Sequence, residues 1–324
     1  MKKPAYLFAF ALTAACLAIA PSSWAQGFPS KPVTLVNPYP PGGATDITAR
    51  AIAAEMTKSL GQPVVVENRA GAAGNIGAAV VASAAPDGHT ILLAPMNLFA
   101  VSPGLYTKLS YDPMKLAPIV VLTSSSFVLS VNPSVEARSL DELIALAKAK
   151  PGTLTFASVG NGSMVHLQGE LLKQMAGIDI RHVPYKGAAP VLTDLIAGHV
   201  DMTFDNIPTA VPLHKAQKVR LLAVTGPRRD AAIPEIPTMA EAGLAKYEAV
   251  TWFGLAAPPG TPAAIVDRLN AAAVEGMKAP AFVQRMRDMS FDIVGGPPAD
   301  MAKWIRDSAD RWLPVVKASG VKLD

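Results

Sequence analysis

Short apolar runs alternate along the chain with stretches in which apolar residues recur at helical spacing. Runs of the first kind predict strands, and stretches of the second kind predict amphipathic helices. This alternation indicates an α/β protein with mainly parallel sheets. The predicted strands lie at 32–37, 63–67, 90–94, 119–131, 153–158, 180–183, 201–205, 219–225 and 249–256. The predicted helices lie at 45–60, 74–84, 139–149, 163–176, 188–197, 262–277, 280–288 and 298–318.

The first 25 residues have the pattern of a secretory signal peptide. Lys2 and Lys3 form a basic start, residues 6–20 are almost wholly apolar, and Ser23-Trp24-Ala25 is a small-x-small cleavage site. We therefore expect an exported protein that is cleaved after Ala25.

Two alternatives to this cleavage remain open. A retained membrane anchor is one, although the apolar run is short for a membrane span. Cys16 raises a lipoprotein as the other. However, Thr13 stands where a lipobox has leucine, and apolar sequence continues past the cysteine.

Composition narrows the function classes. Removing the leader leaves 324 − 25 = 299 residues, and because it takes away two lysines and no acids, the formal charge falls from +4 to +2. The mature part has no basic run, so we expect no nucleic acid partner. Cys16 is the only cysteine of the chain, which leaves no disulfide and no thiolate metal site after cleavage. The remaining length suffices for two domains.

The most informative segment is the loop between the first predicted strand and the first predicted helix, residues 37–50. Gly42 and Gly43 let another group approach the backbone closely. The loop leads into a helix N-terminus, where free N–H groups and the helix dipole favour an anion. The sequence therefore predicts an anion site built from backbone rather than from a cationic side chain.

A glycine-containing loop between a strand and a helix occurs a second time. Residues 156–163 again run from a strand through glycines, Gly160 and Gly162, into a predicted helix. The apolar stretch 117–131 is long enough to cross from one sheet to another, and 219–250 is a compatible return. We therefore predict a discontinuous domain 1 at 26–122 and 228–324, and a domain 2 at 123–227. Two such open sheets would place a ligand cleft between them.

A series of short motifs carries a resemblance to a known family. In chain order, these motifs resemble those of the periplasmic receptors of tripartite tricarboxylate transporters, also called Bug receptors, over essentially the whole mature sequence. The motifs are Phe28-Pro29-Ser30-Lys31-Pro32, Pro40-Pro41-Gly42-Gly43-Ala44-Thr45-Asp46, Val66-Glu67-Asn68-Arg69-Ala70-Gly71-Ala72-Ala73-Gly74-Asn75-Ile76-Gly77, Pro86-Asp87-Gly88-His89-Thr90, Val183-Pro184-Tyr185-Lys186-Gly187, Asp194-Leu195-Ile196-Ala197-Gly198-His199-Val200-Asp201, Leu222-Ala223-Val224-Thr225, Pro237-Thr238 and Pro258-Pro259-Gly260-Thr261-Pro262.

The resemblance implies a two-lobed periplasmic binding protein of type II-like architecture that closes on a small carboxylate. It implies that the two glycine loops hold the carboxylate as a pincer, and that the partner is an inner-membrane transporter or else a sensor. We expect a monomer without cofactor or metal. The candidate ligand-binding residues are Tyr39, Gly42, Gly43, Ala44, Thr45, Asp46, Ser158, Gly160, Asn161, Gly162, Ser163 and Asp205.

Several of these side chains also have a plain structural interpretation. Thr45 and Ser163 are typical helix N-caps, a role that is compatible with donating to a ligand. Asp46 suits the helix N-terminus better than a carboxylate ligand, since like charges repel. Asp205 ends a predicted strand and is expected to face the crevice or bound water. His166, one turn into its helix, is expected to be packed or on the surface.

The sequence supports an enzyme less well than it supports a non-catalytic receptor. Ser163 is not in a G-x-S-x-G elbow, because Asn161 and Val165 stand where glycines are needed. The histidines show no H-E-x-x-H spacing. An exported α/β hydrolase-like enzyme that uses Ser163 or Ser158 is the alternative to a non-catalytic receptor, and an exported module that binds a partner protein is a third class.

Overall fold

The structure, a computed structural model, describes residues 27–323. The predicted signal peptide and its cleavage site lie outside these residues. The described strands are β1 (Val33–Asn37), β2 (Val64–Asn68), β3 (Thr90–Pro95), β4 (Ala117–Val131), β5 (Thr155–Ser158), β6 (Arg181–Pro184), β7 (Met202–Asn206), β8 (Arg220–Val224), β9 (Val250–Ala257) and β10 (Asp292–Gly295). The helices are α1 (Ala44–Leu60), α2 (Asn75–Ala82), α3 (Asn97–Ala100), α4 (Ser102–Leu105), α5 (Leu140–Ala149), α6 (Met164–Ala176), α7 (Ala188–Ala197), α8 (Ile207–Lys215), α9 (Ala263–Gly276), α10 (Pro280–Asp288) and α11 (Pro298–Ala318). In this part of the chain, no helix combines the length and apolar character that crossing a membrane requires.

The long strand β4 joins two open sheets. The strands pair in the order β2-β1-β3-β9-β4-β7-β5-β6, and β8 and β10 also pair with β4. Residues 117–126 of β4 pair with β9, whereas residues 127–131 pair with β7. One strand therefore belongs to the first sheet along one part and to the second sheet along the other.

The expected α/β class with two open sheets and a cleft is confirmed, but the pairing is mixed. Parallel pairs join β1 to β2 and β3, and β5 to β6 and β7. The pairs of β4 with β7, β8, β9 and β10, and of β3 with β9, are antiparallel. Parallel pairing thus holds in the outer parts of the sheet. Around β4 and β9 the pairing is antiparallel, since each of these two strands runs opposite to all of its neighbours.

Some elements were not predicted from the sequence. Helix α8 contains Pro208 in its first turn, where proline is tolerated, and Pro212 in its interior, where proline removes a helical hydrogen bond and weakens the pattern. Strand β10 is short and half exposed, so it lacks an apolar run. Helices α3 and α4 span a single turn each.

Thr225 connects the two places where the chain passes between the sheets. Its buried hydroxyl accepts a hydrogen bond from the Phe127 amide at 2.9 Å and donates to the Ala249 carbonyl at 2.6 Å. The Thr225 amide donates to the Phe127 carbonyl, and its carbonyl accepts from the Ala249 amide, each at 2.8 Å. The two crossing segments are therefore bonded to each other at one residue.

Residues between β8 and β9 pack against the second sheet. Ile233 and Ile236 belong to the same buried cluster as Val128 and Val224. The ring of Tyr247 stacks on Phe204, with centroids 6.3 Å apart. The two-domain division remains a proposal, and these contacts favour placing its second boundary near Ala249 rather than at 227/228.

Candidate functional site

A cavity of about 660 Å³ lies between the loop that follows β1 and the loop that follows β5. Its size is in the range of small-molecule sites. The loops come from different sheets, so the cavity occupies the expected cleft. The lining residues are Tyr39, Pro40, Pro41, Gly43, Ala44, Thr45, Ala73, Pro95, Asn97, Val101, Ser102, Leu105, Val159, Gly160, Asn161, Gly162, Ser163, Met164, Thr251, Phe253 and Leu323.

The first loop is organised by the buried carboxylate of Asp46. Its Oδ2 accepts hydrogen bonds from the Gly42 amide and from Arg50 Nε, each at 3.0 Å, and its Oδ1 accepts from Asn68 Nδ2 at 2.9 Å. The Arg50 hydrogen bond is the largest of the effects that lower the pKa of Asp46 to about 2. Asp46 is therefore ionised at neutral pH and holds the loop through three hydrogen-bond donors.

Helix α1 presents unused backbone donors to the cavity. Its N-cap, Gly43, has no side-chain cap, and Ile47 makes the first backbone hydrogen bond of the helix, to the Gly43 carbonyl at 3.0 Å. The amides of Ala44, Thr45 and Asp46 precede that bond and have no acceptor among the described residues. Such amides at a helix N-terminus attract an anion.

The second loop is held by its own side chains. Ser163 Oγ donates to the Gly160 carbonyl at 2.7 Å and accepts from the His166 amide at 3.2 Å, so Ser163 is the N-cap of α6. The Gly162 amide donates to His166 Nδ1 at 3.1 Å. These bonds fix the loop and also occupy the Gly162 amide, which is therefore not a free donor in this conformation. Asn161 is exposed at the tip of the loop and lines the cavity.

Beneath the second loop, two histidines stack on each other. The rings of His166 and His182 have centroids 4.0 Å apart, and Phe156 stacks on His182 at 4.8 Å. His182 Nε2 lies 2.6 Å from Ser158 Oγ. Burial, the largest cause, lowers the pKa of both histidines to about 4. Both imidazoles are therefore neutral at neutral pH, which suits His166 Nδ1 as a hydrogen-bond acceptor.

The structure brings most of the predicted ligand-binding residues to one cavity. Those that line it are Tyr39, Gly43, Ala44, Thr45, Gly160, Asn161, Gly162 and Ser163, and those that do not are Gly42, Asp46, Ser158 and Asp205.

The residues outside the cavity have identifiable local roles. Gly42 donates its amide to Asp46, and Ser158 is fully buried against Gly160 and His182. Asp205 Oδ1 accepts from the Asn206 amide at 2.8 Å, whereas its buried Oδ2 has no partner among the described residues. Burial raises the pKa of Asp205 to about 6.

Several lining residues are absent from the set predicted from the sequence, among them Ala73, Asn97 and Leu323. The Tyr39 hydroxyl lies within hydrogen-bond distance of the Ala73 carbonyl, at 3.0 Å, and of Asn97 Oδ1, at 3.2 Å, and Asn97 Nδ2 donates to the same carbonyl. Ala73 belongs to the glycine-rich motif 71–77, which therefore supports the cavity wall. Leu323 reaches the cavity from the segment after α11. No local sequence pattern predicts that Leu323 lines the cavity, because its position depends on the fold of the whole chain.

The serines do not form a hydrolytic arrangement. Ser163 bonds only to its own loop and to the first turn of α6, and neither the buried Ser158 nor the partly buried His182 lines the cavity. Within residues 27–323, no cluster of three or more His, Cys, Asp or Glu side chains is placed to hold a metal ion.

Comparison with known proteins identifies relatives. Residues 48–321 match the model of the TctC family, described as the tripartite tricarboxylate transporter family receptor. BugT of Bordetella pertussis is 37% identical over 301 residues, which is 92% of each chain. The adipate-bound R. palustris protein Rpa4515 is 38% identical with a TM-score of 0.74, over 91% of this chain and 99% of that one. MatC of Rhodopseudomonas palustris with bound malate is 35% identical with a TM-score of 0.72, over 89% and 100%. The resemblance seen in the sequence is therefore confirmed.

Proposed function

Because this chain belongs to the tripartite tricarboxylate transporter receptor family, we propose that it is a periplasmic solute receptor that captures a small carboxylate between its two glycine loops. It acts by binding and release, without catalysis. It passes its ligand to an inner-membrane transporter of the tripartite type, or reports on the ligand to a sensor.

The observation that carries this proposal is the pair of loops that face one cavity from different sheets. The first loop contributes the free amides at the start of α1, and the second contributes Asn161 and the start of α6. None of the described residues lining the cavity is charged. A carboxylate there is held by backbone and side-chain dipoles, which bind an anion well only when water is excluded.

Closure of the two lobes supplies that exclusion. A ligand that contacts both loops binds the closed form better than the open form, and this difference in affinity drives closure. Bending at the segments joined by Thr225 leaves both sheets intact, because residues 117–126 and 127–131 of β4 pair with different partners.

Two relatives support the ligand class. Rpa4515 was solved with adipate and MatC with malate, both small carboxylates. This chain has the same fold over about nine tenths of its length. A relative described as the periplasmic binding protein BugD, 33% identical, supports the periplasmic location.

A thermal-shift screen tests the proposal. The mature protein, residues 26–324, is heated with mono-, di- and tricarboxylates, amino acids and aromatic acids. A ligand that binds only the folded protein raises the melting temperature with its concentration, as RT ln(1 + [L]/Kd) requires. We expect a rise for a carboxylate class. A screen without any rise, on protein whose denatured form releases no small molecule in mass spectrometry, would contradict the proposal.

A further inference from the structure

The cavity has an apolar wall next to the second loop, formed by Val101, Leu105, Val159, Met164, Phe253 and Leu323. The space around Gly162 shows that part of this wall lies against the loop. A Cβ added at Gly162 would lie 2.9 Å from Leu105 Cδ1 and 3.5 Å from Leu323 Cδ1. The wall therefore lies beside the residues that are expected to receive the carboxylate.

Leu323 is held in this wall by backbone hydrogen bonding. Its amide donates to the Leu105 carbonyl at 2.9 Å, and the neighbouring Lys322 Nζ donates to the Gly104 carbonyl at 2.9 Å. The segment after α11 is thus bonded to α4 at two consecutive residues. This bonding fixes Leu323 as part of the cavity surface rather than as a loose tail.

No counter-charge faces the apolar wall from the described residues of the cavity. The nearby cations are engaged elsewhere: Arg50 bonds Asp46 and Asn68, and Lys322 bonds Gly104. The polar groups of Tyr39, Asn97 and Ala73 bond to one another. A second ionised group on the ligand would lose its hydration at this wall with no ionic partner and with the amides at the start of α1 already taken by the first carboxylate, which costs free energy. An apolar chain or ring would instead gain from burial.

We infer that this receptor selects monocarboxylates whose far end is uncharged and apolar, an aliphatic chain or an aromatic ring, and that Leu323 is a specificity-determining residue. The inference rests on the proposed function and narrows its ligand class. It distinguishes this chain from the relatives that were solved with the dicarboxylates adipate and malate.

Titration calorimetry with acids matched in length tests this inference. The probes are hexanoate against adipate, and benzoate against terephthalate. We expect each monoacid to bind at least about tenfold more tightly than its diacid. If the diacids bind as tightly or more tightly, the inference is overturned while the proposed function stands. If none of the four acids binds, and no other carboxylate of the thermal-shift screen does, both are overturned.

Two charge variants test the role of Leu323. Leu323→Lys places an ammonium group at the apolar wall, and we expect it to reduce or reverse the preference for hexanoate over adipate. Ala318→Lys adds the same charge at the exposed end of α11, outside the cavity, and should leave the preference unchanged. Leu323→Ala should weaken hexanoate several-fold with a smaller effect on adipate. Equal preferences in wild type and both Leu323 variants would remove Leu323 from the specificity site.

Discussion

The amide of Gly162 donates a hydrogen bond to Nδ1 of His166 at 3.1 Å. This bond requires an imidazole that is unprotonated at Nδ1. The conformation of a loop at the cavity is therefore linked to the protonation state of a buried histidine, whose ring also stacks on His182 at 4.0 Å.

Acid should destabilise the protein through this histidine pair. Folding lowers the pKa of His166 and His182 from 6.5 to about 4, so the unfolded state binds more protons between these values. Stability is therefore lost as pH falls through the window from about 6.5 to about 4. We expect the melting temperature of His166→Asn, which keeps an acceptor but does not titrate, to fall less over this window than that of wild type. His199→Asn alters a largely exposed histidine and should follow the wild-type curve. If His166→Asn follows that curve as well, the link between loop and histidine is wrong.

Asp205 should give protein stability the opposite pH dependence, with a loss as pH rises. Burial raises its pKa from 3.8 to about 6, so its stabilising effect is present below about pH 4 and is lost as pH rises through about 6. Asp205→Asn keeps an acceptor for the Asn206 amide but carries no charge. We expect it to raise the melting temperature at pH 8, with a gain that shrinks as pH falls below 6. Asp310→Asn, at an exposed position of α11, should have no comparable effect. A melting temperature for Asp205→Asn below that of wild type at pH 8 would indicate that the carboxylate has a favourable role.

Loss of the Thr225 hydroxyl should weaken the junction of the sheets. Thr225→Val keeps the shape but leaves the buried Phe127 amide without this acceptor and the Ala249 carbonyl without this donor. Buried groups left unpaired cost about 1–3 kcal/mol in unfolding free energy, and denaturant titration measures the change. Thr193→Val removes an exposed hydroxyl that bonds the Ala189 carbonyl within α7, and it should cost much less. Equal costs for the two variants would show that the junction does not depend on Thr225.

The order of elements could be predicted because each apolar run reports local burial. The direction of pairing could not, since whether β9 meets β3 antiparallel depends on residues more than 150 positions apart. Helix α8 was hidden by Pro212 in its interior, whose local preference is overcome by packing of Ile207 and Ala210 in the core.

The candidate site was predictable where glycine controls the backbone and unpredictable where distant side chains meet. Gly42 and Gly162, which both have positive φ, indicated the two loops. Nothing near Asp46 in the sequence shows that it occupies the Gly42 amide, and nothing near Leu105 shows that Leu323 bonds to it. Those facts depend on the completed tertiary fold.

The central claim is that a carboxylate binds between the two loops, and the affinity of Gly43→Val tests it most directly. Gly43 has φ of −82°, and a Cβ added there meets nothing within 4 Å, so valine fits the backbone and projects into open space at the cavity. The measurement is the Kd of wild type and variant for the carboxylate that gives the largest thermal shift, with Gly27→Val, another open position outside the cavity, as control. We predict a loss of at least tenfold in affinity for Gly43→Val, with only a modest fall in the melting temperature of the unliganded protein, because valine is a poorer N-cap than glycine. An unchanged Kd would contradict the claim, because the ligand would then bind elsewhere.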